Sequence, residues 1–294
     1  MKQWDQFWFK PRGPEHVSCV RIAIGILVTI QFLQYTFSAA DWYGENGWFN
    51  RDAARFFIGD GVEGTGSIFR WSILFSYPGL ATAIAIVGVI ASASMVFGIG
   101  SRVSPFLAWI ALGTFMHRAP FLTLVYEPWL SAMLAYLIIE PGRPKWTIYP
   151  GVSSGEPRLS ANLAIQLMRC HVLLWVVFSL GSMLAEPVWW NGEAAWMLMK
   201  SGNGWIHIPS LSDSDESWKI LGQILTHSVI GLQILVLVCL IVPNCRWLGR
   251  WPMVLFASSI LLLLGDWMYA ALVLATSLAV WPFFLSYLKE KNES

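Results

Sequence analysis

An all-α, polytopic integral membrane bundle of about eight transmembrane spans is the fold class these residues predict. Three observations carry it. Hydrophobic residues make up 56% of the 294 and charged residues only 13%, about half the roughly 25% charged share of a soluble domain. Mean hydropathy is +0.55. Apolar runs recur along the whole chain and are divided by short segments that hold most of the charge, with no repeat and no soluble domain between them. Tryptophan is abundant, at 18 residues, as suits interfacial belts where one ring edge is wet. A formal net charge of +1 gives no reason to expect a nucleic-acid partner. Membrane lipid is the partner the composition implies.

Residues 1–17 mix Trp4, Phe7, Trp8 and Phe9 with Lys2, Lys10 and Arg12, and Pro11 and Pro14 break them. They read as an interfacial amphipathic segment lying on the membrane. The transmembrane domain is expected over 18–288, followed by a cytoplasmic tail, 289–294. Its first span is Ser18 to Phe37. A signal peptide cleaved after Ser38-Ala39-Ala40 is the rival reading, but its n-region would be unusually long and Gln31 and Gln34 interrupt the apolar run. A polar, glycine-rich segment follows, in which Asn50 caps a short helix to Arg55. The second span, Gly79 to Ile99, carries small residues at Ala81, Ala85, Gly88, Ala91 and Ser92 that permit close packing.

Gly100-Ser101-Arg102 is a tight turn, and Pro105 opens the third span, which ends near Met116. The fourth runs from Trp129 to Ile139. Both are short against a bilayer core of about 30 Å, which needs roughly 20 helical residues. The intervening His117–Glu127 segment is therefore expected to dip back against protein or a water-filled cavity. Spans five and six are Ser160–Ala185 and Trp218–Val242, joined by a loop with a short helix over Gly192–Lys200. Pro252 to Leu288 is longer than one span needs, and Gly265-Asp266-Trp267 divides it into spans seven and eight.

Charge asymmetry sets the orientation. With the N-terminus inside and sides alternating, the cytoplasmic segments hold Lys2, Lys10, Arg12, Arg102, Arg143, Lys145, Arg158, Arg246, Arg250, Lys289 and Lys291. The outer side holds most of the acids, among them Asp41, Glu45, Glu127, Glu186, Glu193 and Asp266, with fewer cations, such as Arg118, Lys200 and Lys219. The positive-inside rule then places both termini in the cytoplasm of an inner-membrane protein.

Candidate chemistry is sparse. Arg169 and His171 bring ionisable groups to membrane depth, which marks either a functional site or an arginine bonding carbonyls between helices. Gln223 and His227 are an i,i+4 pair on one helix face, read as interhelical glue or a head-group contact. His117-Arg118, Glu127 and Asp266 all sit at breaks in apolar runs. They read as an ion pair holding a re-entrant segment or as an anion site. Trp189 and Trp190 form an aromatic shelf after the fifth span. The four cysteines show no CxxC spacing, and no second histidine or carboxylate stands at ligand spacing from His227, so no metal is expected. No phosphate loop or nucleophile elbow is present.

The order of these pieces resembles the HTTM (horizontally transferred transmembrane) family, the membrane domain shared by vitamin K-dependent γ-carboxylases and their bacterial relatives, over about Val17 to Leu288. VRIAIGILVTIQFLQYTF with WYGENGWF is similar to the family's first span and loop. FGIGSRVSPFLAWIALGTFMHRAPF is similar to its glycine–arginine turn and the segment after it, where Arg118 and Ala119 depart from the usual residues. YEPWLSAMLAYLIIEPG is similar to the next span, and IQLMRCHVLLWVVFSLGSMLAEPVWWNGEAAW to the most characteristic block. The resemblance implies a carboxylase-type membrane fold. In the carboxylases a lysine in that block activates the reduced quinone. The equivalent position here falls near Met183 or Leu184, and no lysine lies between Arg158 and Lys200. Phe256-Ala257 stands where the family has Phe-His. No match to the family's large lumenal domain is read here. The resemblance therefore supports the fold and argues against the activity, which has no visible base.

Two function classes remain open. One is a non-catalytic membrane protein that binds a lipid, a quinone or a partner protein through an outer-face cavity, in an accessory, maturation or immunity role. It requires an apolar cavity lined by Trp and Phe, with Arg118 or Arg169 at its rim. The other is a membrane-embedded enzyme with His117, His171 or His227 as base, which requires one of them to converge with a carboxylate on a water-accessible cavity. A small transporter is a weaker third option, with no inverted repeat or paired broken helices to recommend it.

Overall fold

The computed structural model describes residues 2–50, 53, 73–75, 77–140, 157–201, 203–206, 216–242, 245 and 248–281. The regular elements among them are helical. In chain order they are α1 (Lys2–Phe9), α2 (Glu15–Tyr43), α3 (Ala81–Phe97), α4 (Val103–Arg118), α5 (Glu127–Ile139), α6 (Leu159–Ala185), α7 (Pro187–Trp190), α8 (Ala194–Ser201), α9 (Glu216–Ile241), α10 (Arg250–Leu264) and α11 (Trp267–Val280). Short 3₁₀ turns cover Ile73–Phe75, Pro78–Leu80 and Pro120–Leu122. Four helical stretches are long and apolar enough to cross a membrane: His16–Tyr43, Pro78–Phe97, Leu159–Ala185 and Lys219–Ile241. The helices α5, α10 and α11 are apolar but shorter. The 13 residues of α5 rise only about 20 Å. A helix of that length spans only if irregular backbone, held by protein, completes the crossing.

Compact packing divides the chain into two units, Met1–Ala164 and Ile165–Ser294. In the first, α2 packs along α3 through small residues. A Cβ on Gly25 would lie 2.8 Å from Val96 Cγ2, and one on Gly88 would run into the fully buried ring of Phe32. Thr29 Oγ1 donates to Ser92 Oγ at 3.0 Å across the same seam. The helix α3 stops in a Schellman turn. Gly98 takes φ +74°, its N–H bonds Met95 O at 3.1 Å, and Ile99 N–H bonds Ser94 O at 2.8 Å. Gly100 and Ser101, at φ +83° and +48°, complete the reversal into α4. The N-terminal helix α1 is tied to the start of α6, where Asn162 Nδ2 donates to the carbonyls of Phe7 and Trp8, both at 2.8 Å. Arg12 and Arg158 pair their backbones beside it.

In the second unit α9, α10 and α11 form a sequential set, and α8 lies on α9. The break between α10 and α11 falls where the sequence divides the last apolar stretch. Gly265 adopts φ +70°, and Asp266 Oδ1 accepts from Tyr269 N–H at 2.9 Å as the cap of α11. Ile206 N–H bonds Leu262 O at 3.1 Å, which serves a carbonyl in the last turn of α10.

Among the boundaries that differ from the sequence expectation, those of three helices have a clear local cause. The first span is longer than Ser18–Phe37: α2 begins at Glu15 and continues through Ser38-Ala39-Ala40 to Tyr43. The chain turns only at Gly44 and folds back, with Trp48 N–H on Asp41 O and Phe49 N–H on Trp42 O, both at 2.8 Å. The third helix carries on past Met116 to Arg118, because the breaker is Pro120, which forces Ala119 out of the helical region. The loop helix starts at Ala194, not Gly192, since Gly192 sits at φ +76°. Asn50 Oδ1 accepts from Ala53 N–H at 2.9 Å, as a cap does. The rest of that expected helix lies outside the described residues.

The α2–α3 seam gives a direct test. Gly88→Val places methyl groups where the Phe32 ring lies. It should lower the thermal midpoint in detergent by the equivalent of about 1–3 kcal/mol, and a second change, Phe32→Ala, should recover part of the loss. A Gly88→Val protein as stable as wild type would contradict the contact.

Candidate functional site

Two sets of polar side chains stand out, one in each unit. The first surrounds Glu127, the opening residue of α5, with its side chain 2% exposed. An ionised or neutral carboxyl taken this far from water needs donors around it. Gln31 Nε2 supplies one at 3.0 Å and the Tyr35 hydroxyl another, in a short contact, both from α2. Leu124 N–H supplies a third, to Oε2 at 3.2 Å. Gln31 Oε1 in turn accepts from the Tyr126 hydroxyl at 2.8 Å. The result is a connected network that ties the 119–126 corner to the middle of α2. Tyr35 also stacks on Phe115 of α4, with ring centroids 4.4 Å apart.

Arg118 ends α4 a short distance along the chain and is fully buried. Its Nη2 donates to Phe49 O at 3.2 Å, and the guanidinium lies 5.6 Å from the centroid of the Phe49 ring. The folded-back turn after α2 delivers both groups. Arg118 and Glu127 thus hold the loop before and the loop after them against α2. Their described bonds are those of a clasp on irregular backbone, with every named partner a protein group.

The second set lies on α8 and α9, which run antiparallel. Thr226 Oγ1 accepts from Ala195 N–H at 2.9 Å and reaches Gly192 O at 3.1 Å. A Cβ on Gly222 would lie 2.9 Å from Trp196 Cβ, so the helices touch there, backbone close to side chain. The positive φ of Gly192 is needed at this point as well, because a Cβ on it would meet Gln223 and the His227 ring at 2.8–3.0 Å. Beside this closed end a cavity of ≈ 550 Å³ opens. The helix α8 contributes Trp196, Met197, Lys200 and Ser201, with Gly192 and Glu193 ahead of it, and α9 contributes Lys219 and Gln223. Lys219 is also the first residue of the stretch able to cross a membrane.

The remaining sequence candidates fall elsewhere. Arg169 donates from Nε to Ala279 O at 3.0 Å and from Nη2 to Val280 O at 3.1 Å. It caps the last carbonyls of α11, where a cation also meets the negative helix end. Asp266 caps the other end of the same helix. His227 is exposed, with Nδ1 on Gln223 O of its own helix at 2.8 Å. His117 and His171 are half-buried, on α4 and α6. Trp189 is half-buried and Trp190 exposed, its Nε1 bonding Leu184 O in a tight turn after α6. Among the described residues no group of three or more His, Cys, Asp or Glu is placed to hold a metal ion. The rim of the cavity also departs from expectation. Lysines line it, not Arg118 or Arg169, and of the sequence candidates only Gln223 does. Lys200 and Lys219 were visible as rare cations on an acid-rich side, but nothing in their spacing, 19 positions apart across a loop, marks them as neighbours.

Removing the Glu127 acceptor tests the clasp. Glu127→Ala takes the acceptor from the Tyr35 hydroxyl, the Gln31 amide and Leu124 N–H, and should cost roughly 1–3 kcal/mol for each of these donors left without a new partner. Glu127→Gln keeps the shape and one acceptor and should cost less than half as much. Unfolding in detergent reads both; equal stability of all three proteins would contradict the network.

No protein-family model, no curated protein and no solved structure matches the chain, so its function has to be argued from these side chains.

Proposed function

We propose that the chain is an integral membrane protein of about eight spans, HTTM-like, with both termini cytoplasmic, that binds a membrane amphiphile in its outer-face cavity without transforming it. The amphiphile is a lipid or a quinone. The single observation that carries this reading is the α8–α9 cavity. Its ≈ 550 Å³ lies within the range of small-molecule sites, about 300–1,000 Å³. Its walls join an indole and a thioether to two ammonium groups, a carboxylate and an amide. That mixture suits a molecule with one wet and one apolar end. The position agrees, since Lys219 opens a crossing helix and exposed Trp190 and Trp205 stand nearby in sequence, as in an interfacial aromatic belt. A partner protein seated on the same surface is the competing occupant, and the concavity favours the smaller ligand.

Native mass spectrometry with lipid extraction tests this on the detergent-purified protein. Met197 is 53% exposed on the cavity wall, so Met197→Trp should fill the space without disturbing the fold. Wild type should retain an amphiphile that Met197→Trp has lost. Equal retention, or none in either, would overturn the proposal. The orientation has its own check: a reporter fused after Ser294 should read as cytoplasmic, and a reporter inserted in 207–215 should read as outside.

A further inference from the structure

We infer that Glu127 is a proton-binding site, whose carboxyl takes up and releases one proton inside the bonded network of the first unit. The inference stands apart from the amphiphile reading, because the α8–α9 cavity belongs to the other unit. Three observations carry it. The Glu127 side chain is 2% exposed. The groups bonded to it are the Gln31 amide, the Tyr35 hydroxyl and Leu124 N–H, and each of these donors is neutral. A buried carboxylate held by neutral donors keeps its full charge out of water, and one proton from bulk water removes that charge. Finally, every side chain in the series Tyr126–Gln31–Glu127–Tyr35 can both donate and accept.

The third observation shows how the network admits the proton. In the ionised form the Tyr126 hydroxyl donates to Gln31 Oε1 at 2.8 Å, and Gln31 Nε2 donates to Glu127 Oε1 at 3.0 Å. A proton on Oε1 forms one O–H bond and adds one donor. Turning the Gln31 amide by half a turn exchanges its oxygen and nitrogen. Glu127 O–H then donates to Gln31 Oε1, and Gln31 Nε2–H donates to the Tyr126 oxygen. Tyr35 and Leu124 N–H keep their bonds to the carboxyl. The extra donor is thereby passed to Tyr126, in the corner whose Leu124 and Val125 are 49% and 74% exposed.

The titratable and charged groups on the elements around Glu127 are these. The helix α2 presents Tyr35 and Tyr43, packed edge to face with ring centroids 6.4 Å apart. The helix α4 ends in His117 and Arg118, and the described bond of Arg118 goes to Phe49 O. The corner adds Tyr126, and α5 adds Tyr136 more than two turns on. Ala81–Phe97 of α3 contains no titratable residue.

Infrared difference spectroscopy of the full-length protein in detergent, recorded on acidification, tests the inference. Wild type should gain a protonated-carboxyl band that shifts in heavy water. Glu127→Gln should lack that band, and Glu140→Gln, which alters the other buried glutamate, should keep it. Tyr35→Phe removes a donor to the anion, so it should move the midpoint up by about one pH unit, a tenfold tighter proton. Elution profile and thermal midpoint show whether each variant folds. If Glu127→Gln does not fold, the Tyr35→Phe shift identifies the band by itself. Absence of a titrating band that depends on Glu127, or a midpoint that Tyr35→Phe leaves in place, would overturn the inference. A cation from 51–72, residues outside the described ones apart from Ala53, would produce that result by holding the carboxyl ionised.

Discussion

A carboxyl group buried beside lipid-length helices has to be surrounded by donors, and the first unit depends on how Glu127 meets that demand. Gln31 and Tyr35 reach it from α2, Leu124 from the corner before α5, and Tyr126 closes the ring through Gln31. At 13 residues α5 is shorter than the roughly 20 residues that cross a bilayer core of about 30 Å, and protein groups bond the irregular backbone ahead of it. Arg118 does the same for the turn after α2, through the carbonyl and ring of Phe49. The described bonds of Glu127 and Arg118 go to groups of this same unit and therefore join its separate segments.

The second unit distributes its polar groups differently. Arg169 and Asp266 are spent on the two ends of α11. Thr226 and the two glycines 192 and 222 bring α8 hard against α9 at one end. Beyond that closed end the helices leave a cavity whose charged residues are exposed. Thr226 is buried and Arg169 and Asp266 are half-buried, whereas the described polar residues of the cavity wall include exposed Lys200, Lys219, Glu193 and Gln223. This contrast is why the proposed ligand site is α8–α9 and not the residues whose burial first draws attention.

Much of this organisation was legible in the sequence. The apolar runs, the turn at Gly100-Ser101-Arg102 and the break at Gly265-Asp266 all announce themselves through hydropathy and glycine. So do the breaks at His117–Pro120 and Glu127. The ends of α2 and α4 were not, because Asp41-Trp42 reads as loop although it continues a helix, and the effective breaker after α4 is Pro120. Partners were harder still. Nothing near Glu127 in sequence points to Gln31 and Tyr35, some 90 positions away, since a glutamine and a tyrosine in an apolar run look like interruptions. Arg118 was read as a partner for Glu127 or Asp266. Its described bonds go to Phe49, a backbone carbonyl and ring that no charge pattern reveals. Lys200 and Lys219 line one cavity only because α8 folds back on α9.

Photocrosslinking tests the central claim most directly. A phospholipid with a photoreactive group near the headgroup, reconstituted with the protein and mapped by peptide mass spectrometry, should label 192–201 and 219–224 well above other lipid-exposed positions. Exposed Ile86 and Ile90 on α3 provide the baseline. Labelling of α3 as dense as that of α8 and α9 would mean the cavity holds lipid no better than the membrane around it, and the account would fail.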